Sequence, residues 1–262
     1  MKRIVIMGGS SGIGLRVAEL LAASGWRVGV AGRKEEPMKK LKVMFPSQVE
    51  WAQIDVNHND APRRLLDLIG RLGGMDTYFH VSGVGYENPS IDMKEEIATV
   101  ETNVVGFTRM VDTAYHFFKA RGKGHLAIVS SVAGTKGIGD LASYSASKKF
   151  QQTYLQALEQ LSHKNKVKIA FTDIRPGWIR TPLLDPDREY PMTMELQDAA
   201  KLIIKAIKKK TRIAVIDRKW AIAVFFWKLI PGGIWIKLPI SVSSRATVEE
   251  EISNEEVELS EA

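Results

Sequence analysis

Ile4-Val5-Ile6-Met7-Gly8-Gly9-Ser10-Ser11-Gly12-Ile13-Gly14 is the stretch that decides the fold. The unbroken apolar run over residues 3–7 reads as a strand buried on both faces. Glycines follow at 8, 9, 12 and 14, and residues 15–23 resume as a helix with Leu15, Val17, Ala18, Leu20 and Leu21 supplying an apolar side. Glycines allow a tight turn and let an anion approach the backbone with no Cβ in the way. The next helix presents unpaired N–H groups and a partial positive charge to that anion. Gly8, Ser10, Ser11, Gly12, Ile13 and Gly14 are therefore candidates to hold a pyrophosphate, the two serines adding hydroxyl donors. The spacing is G-x-x-x-G-x-G and not the commoner G-x-G-x-x-G. Taken alone it also suits a plain strand-to-helix turn.

The alternation continues along the chain. Strands are expected over residues 26–31, 49–54, 77–81, 126–130, 167–174 and 212–216. Helices are expected over 37–44, 61–72, 95–120, 144–161 and 195–209. Strands alternating with helices imply one α/β domain, a Rossmann-like doubly wound parallel sheet with helices on both faces. Residues 1–217 would form the nucleotide-binding catalytic domain, 218–247 an apolar extension, and 248–262 an acidic mobile tail.

Composition excludes several classes. The chain has 262 residues, 45% hydrophobic and 26% charged, a globular mix that rules out a collagen-like, coiled-coil or wholly disordered chain. Cys 0 excludes a disulfide framework, a zinc–thiolate site and a cysteine nucleophile, and fits a reducing compartment. No metal site is expected. The net charge is +7, yet seven Glu and no Lys or Arg follow Arg245, so the body without them carries +14. A basic body attracts phosphorylated cofactors, acidic carriers or an anionic membrane, or is only a solvated surface. No nucleic-acid partner is expected, since no basic–aromatic interleaving, zinc finger or RNP motif is found. Only four apolar residues follow Met1-Lys2-Arg3 before the glycines, so no secretory leader is expected. No run approaches the roughly 20 apolar residues of a spanning helix. A cytoplasmic protein is expected, with peripheral membrane contact left open.

The second strand ends Val30-Ala31-Gly32-Arg33-Lys34, with no carboxylate to take ribose hydroxyls. Arg33 suits a 2′-phosphate, so NADP(H) is the expected cofactor and NAD(H) the alternative. The bland alternative is a pair of solvent charges in a turn. Tyr144-Ser145-Ala146-Ser147-Lys148 sets a phenol and an ammonium at i and i+4, on one helix face. A nearby cation lowers a phenol pKa toward working pH and makes Tyr144 a candidate general acid–base. Tyr and Lys at this spacing also occur on ordinary exposed helices.

The glycine loop, a Ser thirteen residues before the Tyr, and Y-x-x-x-K together resemble the short-chain dehydrogenase/reductase family. Ser131 stands at that family's catalytic serine, and Asn103 matches its helix asparagine. Asp55-Val56 resembles its adenine-contacting pair. Pro176-Gly177-Trp178-Ile179-Arg180-Thr181 resembles its nicotinamide loop, which makes Pro176, Gly177, Ile179 and Thr181 candidate cofactor contacts. The resemblance runs from about residue 2 to 217. Met7 replaces the usual Thr before the glycine loop. His80-Val81-Ser82-Gly83 stands where N-N-A-G is usual, leaving Ser82 and Gly83 to approach the cofactor and side-chain support of the sheet in question. His80 reads as a satisfied buried polar group, not a catalyst.

The resemblance implies that NADPH lies across the C-terminal edge of the sheet and delivers hydride to a carbonyl. Ser131 would bond that carbonyl and Tyr144 would protonate it. Lys148 would bind the nicotinamide ribose and lower the Tyr144 pKa, and Asn103 would hold a relay water. It also implies a homodimer or homotetramer through two long helices. The expected substrate is a small hydrophobic ketone or its alcohol (steroid, lipid or acyl). Met192 and Met194 would form an adaptable wall, and Tyr86, Ile138 and Trp178 would add bulk. Alternatives are 3-oxoacyl thioester reduction and a noncatalytic NADP-binding protein docked to a membrane or partner. A nucleotide-sugar epimerase or dehydratase is disfavoured by chain length and glycine spacing. Residues 220–240 read as two short apolar helical pieces broken at Pro231-Gly232-Gly233, suited to a membrane interface, a subunit interface or a pocket lid.

Overall fold

Residues Arg3–Met7 form strand β1 at the heart of a parallel sheet. Ile4 and Ile6 join the core on one face of that sheet, Val5 and Met7 the core on the other. The side-chain period of two explains why the strand reads as continuously apolar: both faces are covered. The computed structural model describes residues 2–185, 187–240, 242, 244 and 245.

The other strands are β2 (Arg27–Gly32), β3 (Val49–Gln53), β4 (Thr77–His80), β5 (Lys123–Val129), β6 (Lys168–Pro176), β7 (Arg188–Glu189), β8 (Ile213–Ile216) and β9 (Ser244–Arg245). Seven of them form the main sheet in the order β3-β2-β1-β4-β5-β6-β8, with parallel pairing throughout. β7 and β9 pair antiparallel apart from it. Helices α1 (Gly12–Ala23), α2 (Glu35–Met44), α3 (Ala61–Leu72), α4 (Met93–Val100), α5 (Phe107–Arg121), α6 (Ala142–Lys164) and α7 (Leu196–Lys209) surround the sheet. α1, α2 and α7 pack on the Ile4 side, and α3, α5 and α6 on the Val5 side. The strand order reverses between β1 and β4, the crevice where ligands of such sheets bind.

Two local features depart from the expected single helix over 95–120. α4 begins earlier, because the Asp92 carboxylate accepts from the N–H groups of Lys94 and Glu95. Residues Glu101–Gly106 then adopt a π-helical turn before α5. Asn103 sits in this wide turn, and its carboxamide clamps the loop after β4, accepting from Val84 N at 2.9 Å and donating to Val84 O at 2.7 Å. Single π turns of this kind recur at functional sites.

After β8 the chain forms α8 (Arg218–Leu229) and α9 (Gly232–Trp235), parted at Pro231 as the sequence suggests. Trp220 closes against the loop after β6, where a Cβ on Gly177 would lie 2.1 Å from the indole Nε1. Glycine at 177 thus lets α8 sit directly on that loop. Among the described residues no helix is long and apolar enough to cross a membrane. The acidic segment 248–262 lies outside the described residues.

Candidate active site

Two adjoining cavities open at the C-terminal edge of the sheet. The outer one, about 310 Å³, is lined by Gly8, Ser10, Ser11, Gly12 and Ile13 from the glycine loop, and by Arg33, Lys34, Asp55, Val56, Ser82, Gly83 and Thr181. Gly8 has φ +91°, and a Cβ there would lie 2.5 Å from Ser82 N. The cavity floor is therefore backbone against backbone, a fit only glycine permits. Ser11 is the N-cap of α1, but its hydroxyl makes no capping bond, and the first turn of α1 holds no acid. The positive end of α1 faces the cavity uncompensated. Arg33 and Lys34 are exposed at the rim, and Gln53 Nε2 holds the Arg33 carbonyl at 3.1 Å. Gly14 stands behind the lining, packed on Gly8.

The inner cavity, about 140 Å³, is lined by Tyr144, Lys148, Pro176, Gly177, Trp178 and Ile179, with Tyr86, Leu141, Leu184 and Tyr190 adding apolar wall. Trp178 and Tyr190 pack with ring centroids 4.7 Å apart. Glu87, also on the lining, is ion-paired to Arg188 at 2.5 Å. The expected methionine wall is corrected: Met192 is exposed and Met194 packs on the core beside α7, neither lining the cavity. Ile138 is buried in a satellite cluster with Trp235 and likewise stays off the lining. Sequence offers no cue here, because the segment after β6 folds back with Met194 N bonded to Trp178 O.

Ser131, Tyr144, Lys148 and Asn103 converge. Ser131 Oγ accepts from Ala133 N at 3.1 Å and donates to Pro176 O at 3.4 Å, near enough to the Tyr144 phenol to favour its ionised form. Lys148 Nζ lies 5.6 Å from the Tyr144 ring centroid and donates to Val129 O at 3.1 Å. Asn103 Nδ2 also donates to Ser147 Oγ at 3.1 Å. Burial lowers the Lys148 pKa to about 8, against an opposing pull from the Asp173 carboxylate. Loss of solvent raises the Tyr144 phenol above its ordinary 10, with the Ser131 hydrogen bond opposing. The net direction in this structure is upward, set by burial. The hydrogen bonds of the Lys148 ammonium point to Val129 and Gln151.

Residues that the sequence reading missed hold this set in place. Gln151, fully buried, takes a hydrogen bond from Lys148 Nζ at 3.2 Å and gives one to the Asn103 carbonyl at 2.9 Å. Gln152 Nε2 donates to Ser131 O at 2.8 Å. Asp173, fully buried on β6, pairs with Arg175 at 2.6 Å and accepts from Ser130 Oγ at 2.5 Å. The i+3 spacing from Lys148 is the one cue for Gln151. His80 Nδ1 bonds the Tyr78 hydroxyl at 3.0 Å, and burial together with the Lys148 charge lowers its pKa to about 3. Its Nε2 is buried with no hydrogen-bond partner among the described residues, so the expected satisfied group is satisfied at one ring nitrogen only.

A parallel α/β sheet with a glycine loop at its crevice and a Tyr–Lys helix beside it defines a nucleotide-linked oxidoreductase class. The family model for short chain dehydrogenases matches residues 2–191. The chain belongs to the short-chain dehydrogenase/reductase family and is an oxidoreductase of it. An uncharacterized oxidoreductase of Mycobacterium tuberculosis is 30% identical over 241 residues, covering 88% of this chain and 94% of that protein. One from Myxococcus xanthus is 31% identical over 227 residues, covering 84% and 88%. Among solved structures, the 3-ketoacyl-(acyl-carrier-protein) reductase of Brucella melitensis complexed with NADH superposes with TM-score 0.73 at 19% identity, covering 82% of this chain and 96% of that one. An actinorhodin polyketide ketoreductase with NADPH gives 0.71 at 21%, covering 82% and 95%.

Proposed function

We propose that this protein is an NADPH-dependent reductase of a small hydrophobic ketone, or a dehydrogenase of its alcohol, with Tyr144 as general acid–base. The observation that carries the proposal is the pairing of Tyr144 and Lys148 in the wall of the apolar cavity that adjoins the phosphate-suited one, with Ser131 buried beside Tyr144. The outer cavity fits a dinucleotide phosphate on three counts: a backbone floor that a Cβ would fill, an open helix N-terminus, and two cations at its rim. Gly8, Ser10, Ser11, Gly12 and Ile13 would hold the pyrophosphate, Arg33 the 2′-phosphate, and Asp55 and Val56 the adenine. Ser82, Gly83, Pro176, Gly177, Ile179 and Thr181 would flank the nicotinamide half. When bound, the dinucleotide supplies the hydride.

The residues of the chain do the rest. Ser131 and Tyr144 hydrogen-bond the substrate oxygen and hold it at a fixed dipole as charge develops there. Tyr144 releases its phenolic proton to that oxygen, breaking one O–H bond and forming the alcohol O–H. A raised phenol pKa keeps Tyr144 protonated at neutral pH, the state a donor needs. Lys148 stabilises the phenolate left behind, and also binds the nicotinamide ribose. In the oxidative direction Tyr144 takes the proton back. Trp178, Tyr190, Leu141 and Leu184 exclude water and favour an apolar substrate. A noncatalytic role would leave the convergence of these polar groups without a purpose.

Residues 1–217 supply both cavities in this proposal, and α8 packs behind Trp178 of the inner one. Val105, Phe150 and Leu161 stand exposed on the α5–α6 side, which supports association into a homodimer or homotetramer there. The test is titration with NADPH and with NADH, followed by energy transfer from tryptophan, then a ketone panel. Tight NADPH binding, weak NADH binding and turnover of apolar ketones are expected. Binding of neither nucleotide, or turnover confined to hydrophilic sugars, would overturn the proposal.

A further inference from the structure

Helix α8 is apolar on nearly every side, and one side is covered. Trp220, Val224 and Trp227 turn inward, Trp220 and Val224 onto Val132 and Trp227 toward Trp235. Ile222, Phe225, Phe226 and Leu229, at i, i+3, i+4 and i+7, share the opposite face, and each is 58–64% exposed. Beyond Pro231 the apolar surface continues with Ile234 and Ile236, the latter 79% exposed. A helix that is hydrophobic all round belongs in a buried setting, and a contiguous apolar patch of this kind marks a contact surface.

Charge identifies the contact. From 218 to 240 the segment carries Arg218, Lys219, Lys228 and Lys237 and no acid. A second copy docked by a two-fold axis would bring these same cations together from both copies, a like-charge contact. An anionic bilayer pairs each with a headgroup, while Phe225, Phe226 and Leu229 enter the acyl boundary and the lysine stems snorkel. A 12-residue helix is too short to span, so it would lie flat in the interface.

We propose that α8 and α9 dock this protein peripherally on an anionic membrane, through the outer face of the helix whose inner face packs behind Trp178 of the apolar cavity. The docking claim is independent of the activity proposed above, and its test needs no turnover.

The full chain is sedimented with phosphatidylcholine vesicles and with vesicles containing about one-third phosphatidylglycerol. Pelleting with the anionic vesicles only, weakened by salt, is expected. The double variant Phe225→Ser, Phe226→Ser should lower partitioning roughly tenfold or more, and Lys219→Glu with Lys228→Glu should do the same. Circular dichroism and thermal midpoints confirm that the variants fold. As a measurement on the unaltered chain, tryptophan fluorescence should shift to the blue on anionic vesicles and be quenched by bilayer-borne quenchers. No pelleting, equal pelleting with neutral vesicles, or no fluorescence change would overturn the proposal. So would sedimentation velocity showing a dimer that the Phe225→Ser, Phe226→Ser variant dissolves, which would make the patch a subunit interface.

Discussion

Gln151 Oε1 accepts from Lys148 Nζ at 3.2 Å, and the same side chain donates from Nε2 to the Asn103 carbonyl at 2.9 Å. The carboxamide thus ties the ammonium beside Tyr144 to the wide turn between α4 and α5. Gln151→Leu keeps the volume, removes both bonds and excludes water. We expect kcat to fall roughly tenfold, the worth of one hydrogen bond to a charged group, with nicotinamide KM rising less. Gln151→Ala leaves room for a water between Lys148 and Asn103 and should recover part of the loss. Identical kcat–pH profiles for Leu, Ala and wild type would show that the bridge plays no part.

Tyr144→Phe removes the proton donor and little else. Turnover should fall by about 10²–10⁴, the usual worth of a positioned acid–base. NADPH affinity, measured by tryptophan energy transfer, should stay within about threefold, well under the loss of one net hydrogen bond to a charged group.

Arg33 is an exposed cation at the outer cavity, free of a carboxylate at its own strand tip. Arg33→Ala should raise the NADPH Kd roughly 10–100-fold, matching about 1.5–3 kcal/mol for a charge-assisted bond. NADH affinity should hardly change. Equal losses for both nucleotides would remove the 2′-phosphate from the role of Arg33.

Burial moves the Lys148 pKa from 10.5 down to about 8. Between those values the unfolded chain binds more protons than the folded one at this site, so its stability contribution rises with pH. At pH 7 the charged form is buried at a cost, and Lys148→Met removes that cost. The stability advantage of Lys148→Met should therefore be larger at pH 7 than at pH 9.5 in urea melts. A gap that grows with pH would contradict the burial of this ammonium.

Gly177→Ala pushes a Cβ into the Trp220 indole, within 2.1 Å of Nε1. Overpacking of this kind costs about 1–3 kcal/mol, visible as a drop in Tm of about 2–4 °C per kcal/mol. Adding Trp220→Leu should restore part of it, giving a coupling energy of about 0.5–3 kcal/mol. Additive losses would mean that α8 does not rest on Gly177.

Much of this architecture is legible in the sequence. Strand β1 declares itself because a strand covered on both faces must be apolar at successive positions, and Gly8 because no other residue suits φ +91° against Ser82. Helical spacing puts Tyr144 and Lys148 on one face, but it takes the glycine loop and Ser131 as well to single them out. The π turn at Glu101–Gly106 is not legible, since it follows from Asn103 clamping Val84, a contact 19 residues distant. Met192 and Met194 mislead for a similar reason: loop composition suggests a wall, but Tyr190 and Trp178 turn to the cavity instead. The raised Tyr144 phenol depends on burial, a tertiary quantity.

Deuterium transfer tests the central claim most directly. Wild type and Tyr144→Phe are incubated with NADPH deuterated at the transferring position and a panel of apolar ketones, and the alcohols are analysed by mass spectrometry. Wild type is predicted to yield alcohol heavier by one mass unit, and Tyr144→Phe almost none. No deuterated alcohol from wild type with any ketone, or an undiminished yield from Tyr144→Phe, would contradict the assignment of this site as a Tyr144-driven carbonyl reductase.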